Sequence, residues 1–188
     1  MRLEDIDFKN LSRVATKKKP QIYYDNKFYY KVWDNWHHTA YHTIVGLDTI
    51  YHSMNNLSTV RLGLITDETC SAFQDLIFNS TNICCGYVMH KGTETTNHNE
   101  YLKLLDKLVI NAFSTGYSLR DVNIHNTVMY NNQCSVIDID TNPIKLFHNK
   151  KLNELELKRW YDSFYNLDNL YLDKIKQRLN VVIQEISQ

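Results

Sequence analysis

The segment EYLKLLDKLVINAFSTG, Glu100 to Gly116, most constrains the fold, because it is the clearest helix pattern in the chain. Its apolar residues recur at three- and four-residue spacing, which predicts one buried face of an amphipathic helix. The glycine marks the end of that helix. The apolar face consists of Leu102, Leu105, Leu108, Val109, Ala112 and Phe113.

Strand patterns precede this helix. In PQIYYDNKFYYKVW, Pro20 to Trp33, aromatic and β-branched runs flank the turn-prone pair Asp25-Asn26, which predicts a hairpin with Lys31 in its second strand. SAFQDLIF and NICCGYVMHKG predict a second strand pair. Between the two pairs, apolar spacing from Asn35 to Asn55 predicts another helix.

After the central helix, TVMY and SVIDI predict a hairpin joined by Asn131-Asn132-Gln133. A helical pattern from Asn153 to Ile186 follows, broken near Tyr165 to Asn169. The order of these elements predicts an α+β fold in a single domain, with a strand-rich half over about residues 1–91 and a mainly helical half over about 92–188.

Charge and composition narrow the function. The chain has 21 basic and 21 acidic residues, so no global field attracts nucleic acid or an anionic membrane, and any phosphate binding must be local. The four cysteines include an adjacent pair and form no C-x-x-C pattern, which favours a reducing cytoplasm over a disulfide framework or a zinc knuckle. The N-terminal residues show no signal-peptide pattern.

Polar side chains cluster in YSLRDVNIHNTVMYNNQCSVIDID, Tyr117 to Asp140. The predicted hairpin would fold Asp138 back beside Asp121 and Asn126. Magnesium prefers oxygen ligands and takes one or two carboxylates from a protein, which Asp138 and the amide oxygen of Asn126 would satisfy. Phosphoryl transfer also needs a carboxylate near the acceptor hydroxyl and a cation near the phosphates, for which Asp121 and Lys31 are candidates. The alternative is that these acids and amides only cap strands and form turns.

LRD, Leu119 to Asp121, followed by Asn126, resembles the catalytic loop of protein kinases, and IDID resembles their metal-binding D-F-G element. The order of the predicted elements is also similar from about Ile22 to Asp140. The resemblance to the protein-kinase-like superfamily, which includes small-molecule phosphotransferases, implies a minimal kinase-like fold with a strand-rich N-terminal lobe and a short helical C-terminal lobe.

The resemblance also implies roles for individual residues. Asp121 would be the catalytic base, Lys31 the phosphate contact and Asp48 its ion-pair partner on the helix. Asn126, Asp138 and Asp140 would be metal ligands. Lys91, in the hinge-like MHKGTE, would contact the nucleotide together with Lys31, Asn126 and Asp138.

The function expected from these roles is an ATP- and magnesium-dependent phosphotransferase acting on a hydroxyl of a protein or a small molecule. It would be cytoplasmic, in the host cytoplasm if the source is viral. The alternative is a pseudokinase that binds nucleotide or a protein partner without transfer. ATKKKPQ replaces the glycine-rich loop, so Lys17, Lys18 and Lys19 would have to supply the charge. The short segment after Asp140 suggests a protein partner that completes the C-terminal lobe.

Overall fold

The structure is a computed structural model that describes residues 1–14, 20–32, 64–65, 67–81, 84–139, 143–164, 167 and 169–188. These ranges contain helices and mainly antiparallel strands, which confirms the predicted α+β class. The helices are α1 His98–Thr115, α2 Glu154–Asp162 and α3 Asn169–Ile186. The strands are β1 Ser12–Arg13, β2 Gln21–Tyr24, β3 Phe28–Val32, β4 Phe73–Phe78, β5 Cys84–His90, β6 Thr93–Glu94, β7 Thr127–Tyr130, β8 Gln133–Val136, β9 Phe147–His148 and β10 Lys151–Leu152.

The first five strands form an antiparallel sheet in the order β1-β2-β3-β5-β4. The predicted hairpin is confirmed as β2 and β3, and its turn is held by Asp25, whose Oδ1 accepts the N–H groups of Lys27 and Phe28, both at 2.7 Å. Burial alone would raise the pKa of Asp25, but these N–H donors, the Tyr30 hydroxyl and the charge of Lys91 together lower it. The turn is therefore specified by its own side chain.

The register of this sheet divides its side chains between two faces. Lys31 pairs with Ile22 on one neighbouring strand and with Tyr87 on the other, so all three project from the same face. The opposite face carries Tyr30, Val32, Ile77, Cys85 and Val88, which pack against apolar residues of the N-terminal segment. Lys31 thus lies on the face that this N-terminal segment leaves uncovered.

The central helix α1 is confirmed, with Asn97 as its cap and Gly116 in a left-handed conformation at its end (φ 85°). Most of the predicted apolar face is buried, whereas Leu102 and Phe113 are only partly buried. Tyr101 and Leu104 are buried as well, because α1 packs against β8 and β9 in addition to α3. The helix is therefore covered on a wider arc than its sequence pattern indicates.

The C-terminal helical pattern is confirmed in two pieces, α2 and α3, with the break where it was predicted. Arg178 of α3 binds Asp106 of α1 through Nε at 2.9 Å and Nη2 at 2.6 Å. The predicted helix from Asn35 to Asn55 lies outside the described residues. No helix in the described ranges has the length and apolar character needed to cross a bilayer.

Strands β6, β7 and β8 form a second sheet, in that order. The β7–β8 hairpin is confirmed with a shorter turn than predicted: Asn131 and Asn132 alone form it, with φ of 48° and 62°, and Gln133 begins β8. This is the geometry of a two-residue hairpin turn, for which asparagine is favoured. β8 ends at Val136, earlier than the predicted SVIDI strand, because Asp138 turns towards the first sheet.

Candidate active site

An ion pair joins the two sheets. The Nζ atom of Lys31 in β3 lies 2.6 Å from Oδ1 of Asp138, which follows β8, although the two residues are 107 positions apart in the sequence. The exposed fraction of the side chain is 17% for Lys31 and 33% for Asp138. Because both groups are largely withdrawn from water, their attraction is screened less than that of a surface pair.

The loop that carries Asp121 is held by buried donors on both sides. Nε1 of Trp160 in α2 donates to the carbonyl of Leu119 at 3.0 Å, and the hydroxyl of Tyr101 in α1 donates to the carbonyl of Val122 at 2.9 Å. A backbone bridge between Ser118 and Ile144 closes the N-terminal end of the loop. The backbone on either side of Asp121 is thus fixed by two helices.

Within this loop, hydrogen bonds join two asparagine side chains to Asp121. Asn123, which is wholly buried, donates from Nδ2 to Oδ1 of Asp121 at 2.7 Å and accepts the N–H of His125 at 3.0 Å. Asn126 donates from Nδ2 to the main-chain carbonyl of Asp121 at 3.2 Å. The bond from Asn123 fixes the orientation of the Asp121 carboxylate. The bond from Asn126 fixes the orientation of its own amide, whose oxygen is turned away from the Asp121 carbonyl.

A cavity of about 370 Å³ lies between the two sheets. Lys31, Asn126 and Asp138 line it together with mainly apolar side chains from both sheets and from the β1–β2 connection. The apolar part includes Val14, Ile22, Met89, Val128 and Ile137. A concave apolar site with a few convergent polar groups is the usual form of a small-molecule binding site, and the volume lies within the usual range of about 300–1,000 Å³.

The segment that joins β5 to β6 forms another wall of this cavity. His90 stacks on Tyr130 at 4.6 Å between ring centroids, and burial together with the charge of Lys27 lowers its pKa, so the neutral ring is favoured. Gly92 lies so close to β7 that a Cβ atom there would be 2.6 Å from the carbonyl oxygen of Met129. The glycine permits this close approach of the segment before β6 to β7.

The structure brings Lys31, Asn126 and Asp138 together at the cavity, and Asn126 connects Asp121 to this group. The ammonium of Lys91 instead lies over the rings of Tyr24 and Tyr29, at 4.4 and 5.1 Å from their centroids, while its neighbour Gly92 lines the cavity. Tyr29 also lines the cavity, so Lys91 lies beside its rim.

The other residues proposed from the sequence, Asp48, Asp140 and Lys17 to Lys19, lie outside the described residues. The sequence interpretation missed Asn123, for which the signal was a second amide two positions after Asp121. It also missed Tyr87, whose hydroxyl donates to the carbonyl of Ile137 at 3.1 Å. A tyrosine in a strand of aromatic and apolar residues gave no sign of that contact.

Among the described residues that line the cavity, the Asp138 carboxylate and the Asn126 amide oxygen could serve as side-chain ligands of a divalent cation. This set suits magnesium, which completes its shell with water and phosphate oxygens. In the described ranges, no three histidine, cysteine, aspartate or glutamate side chains are grouped as a metal cage would require.

Comparisons with protein-family models, with curated proteins and with solved structures found no match to this chain.

Proposed function

We propose that this chain is a compact kinase-like phosphotransferase that binds ATP and magnesium in the cavity between its two sheets. The observation that carries the proposal is the 2.6 Å contact of Lys31 with Asp138, on the wall of an apolar cavity that Asn126 also lines. A cation, a carboxylate and an amide oxygen beside an apolar pocket are the groups that bind the phosphates, the metal and the base of a nucleoside triphosphate.

In this proposal the apolar part of the cavity receives the base, and Lys31 contacts the phosphates. Ile22 and Val128 come from different sheets and both line the cavity, so a flat ring can be held between apolar walls. Lys31 is held near Asp138 before ligand binds, so its charge is already where the phosphate oxygens would arrive. Preorganised charge of this kind stabilises a transition state without further rearrangement.

Asp138 and the oxygen of Asn126 would hold the magnesium ion, which neutralises charge on the phosphates. Asp121 would accept a hydrogen bond from the acceptor hydroxyl. Since Asn123 already donates to Oδ1 of Asp121, the carboxylate is kept in one orientation and its second oxygen is directed elsewhere, towards the acceptor in this proposal. The acceptor would be a hydroxyl of a protein or a small molecule.

The test is the unfolding temperature of wild type and of Asp138→Asn with ATP, with and without magnesium. A ligand present at a hundredfold excess over Kd stabilises the native state by about 2.7 kcal/mol, which raises Tm by about 5–10 °C in a chain of this size. We expect this rise in wild type with magnesium and its loss in Asp138→Asn.

Asp106→Asn is the matched control, because Asp106 is also ion-paired, to Arg178, but lies on α1 away from the cavity. It should lower Tm without ligand and leave the rise with ATP and magnesium intact. Equal rises in all three proteins, or no rise in any of them, would contradict the proposed metal and nucleotide site.

The second candidate is a pseudokinase that binds nucleotide without transfer. It is favoured by the sequence from Ser12 to Tyr24, which contains no glycine and so lacks the usual backbone cradle for phosphates. Asp121→Asn separates the two functions. In a phosphotransferase it should abolish release or transfer of phosphate while ATP affinity stays within a few-fold, whereas a pseudokinase should show no phosphate release even as wild type.

A reducing cytoplasm is the proposed compartment. Cys70 and Cys134 are free and buried, and burial raises the pKa of the Cys70 thiol to about 12. Thiols of this kind pack as small apolar groups and are protected from oxidation as long as the protein is folded.

A further inference from the structure

Tyr87 lies at the centre of the first sheet, on the face that borders the cavity. Its register partners are Lys31 in β3 and Leu76 in β4. Only 1% of the residue is exposed, although it also lines the cavity. The side chain is thus fixed by packing beneath the ion pair of Lys31 and Asp138.

The ring of Tyr87 contacts the lysine of that ion pair, and its hydroxyl contacts the backbone of the residue before the aspartate. The ammonium of Lys31 lies 5.6 Å from the centroid of the ring, within the range of a cation–π contact. The hydroxyl donates to the carbonyl of Ile137 at 3.1 Å, and Ile137 immediately precedes Asp138. A single side chain from one sheet therefore touches the lysine of that sheet and the backbone that leads to the aspartate of the other.

The hydroxyl contact falls where the second sheet no longer fixes the chain. β8 ends at Val136, and the last contact that continues its hairpin is the bond from the N–H of Ile137 to the carbonyl of Asn126, at 3.0 Å. The Tyr87 hydroxyl donates to the carbonyl of the same residue. Ile137 is in this way held through its N–H by the chain that leads into β7 and through its carbonyl by the first sheet.

We propose that Tyr87 is a positioning residue that places the Asp138 carboxylate for magnesium and keeps Lys31 beside it. This inference rests on the proposed function, since it assigns a role within the same nucleotide and metal site. Tyr87 acts through the ion pair and the Ile137 backbone. Its hydroxyl holds the backbone before the proposed metal ligand Asp138, and its ring holds the proposed phosphate-binding Lys31.

The hydroxyl and the ring of Tyr87 make separate contacts, so Tyr87→Phe tests the inference by removing the hydroxyl alone. The variant keeps the ring, so Lys31 retains its contact and ATP affinity without magnesium should be unchanged. The peptide before Asp138 loses one donor, so the gain in ATP affinity on adding magnesium should fall. We expect a fall of about three- to tenfold, the equivalent of one ordinary hydrogen bond.

The measurement is the Kd of ATP by isothermal titration calorimetry, once in EDTA and once in saturating magnesium chloride. The ratio of the two constants is the magnesium coupling, and it is compared between wild type and Tyr87→Phe. Tyr30→Phe is the matched control, because its hydroxyl donates to Asp25 at 3.0 Å from the opposite face of the same sheet. It should lower Tm and leave the magnesium coupling at the wild-type value.

A purely structural role of Tyr87 would lower Tm but leave the coupling of the folded protein unchanged, and that result would overturn the inference alone. Absence of any magnesium coupling in wild type would overturn the proposed function and this inference with it. In the Asp138→Asn background, Tyr87→Phe should have no further effect on coupling, because the ligand that it positions is gone. An equal additional loss there would also overturn the inference.

Discussion

The hydrogen bond from Tyr101 to Val122 offers a stability test of how the Asp121 loop is held. Tyr101 is wholly buried in α1, and burial raises its pKa, so its hydroxyl is a neutral donor. Tyr101→Phe would keep the packing of the ring and remove only the 2.9 Å bond to the carbonyl of Val122. That carbonyl would remain buried in an environment without its donor.

Leaving a buried acceptor without its donor costs about 1–3 kcal/mol. For a chain of this length, each kcal/mol lowers Tm by about 2–4 °C, so we expect Tm to fall by at least about 2 °C. The assays are a thermal scan for Tm and urea unfolding followed by circular dichroism for the free energy of unfolding. The slope of the urea transition should stay at the wild-type value because the exposed surface is unchanged.

Tyr161 provides the matched control. Its hydroxyl is buried and has no hydrogen-bond partner among the described residues, and burial raises its pKa to about 12. Tyr161→Phe should therefore leave the free energy of unfolding unchanged or raise it, since a polar group without a partner is removed. If Tyr101→Phe were as stable as wild type, or if both variants lost the same stability, the reasoning about the loop would be refuted.

Three further predictions follow from other contacts. Gly92→Ala would place a Cβ atom 2.6 Å from the carbonyl oxygen of Met129, so β6 and β7 must separate, and Tm should fall by the equivalent of about 1–3 kcal/mol in a thermal scan. Asn123→Asp would replace the amide that donates to Asp121 by a second carboxylate, so two like charges would lie side by side. The variant should be less stable than wild type in urea unfolding at pH 7. Asp25 has a lowered pKa, so its charge contributes stability above the ordinary pKa of about 3.9, and that contribution disappears as pH falls through the lowered value. The stability difference between wild type and Asp25→Asn should therefore shrink in acid, and a constant difference would show that the charge contributes nothing.

Elements with local signals could be predicted. The Asp25 turn, the helix between Asn97 and Gly116, and the Asn131-Asn132 turn carry their own hydrogen-bonding groups or permit the required backbone angles. These interactions form between residues a few positions apart, so the sequence pattern contains them. The end of β8 was placed wrongly, because its last residues are decided by a contact with another sheet.

The candidate site was predictable in part. Asp121, Asn126 and Asp138 lie close together in the sequence and were selected by residue type and spacing. Lys31 was selected as the cation that phosphoryl transfer needs, and the structure brings it to Asp138. Lys91 follows β5 in the segment that leads to the second sheet, but its ammonium lies on tyrosine rings, a position that depends on neighbouring strands.

The sequence by itself determined the local elements and the oxygen-rich loop, because turns, caps and amphipathic faces depend on neighbouring residues. Tertiary structure alone decided that Lys31 meets Asp138, that Asn123 orients Asp121, and that Tyr87 contacts both Lys31 and the backbone before Asp138. The first and last of these contacts join residues that lie dozens of positions or more apart, and even Asn123 is oriented by the burial of its loop against two helices. Such contacts follow from the packing of the two sheets and helices around one cavity, which no local pattern contains.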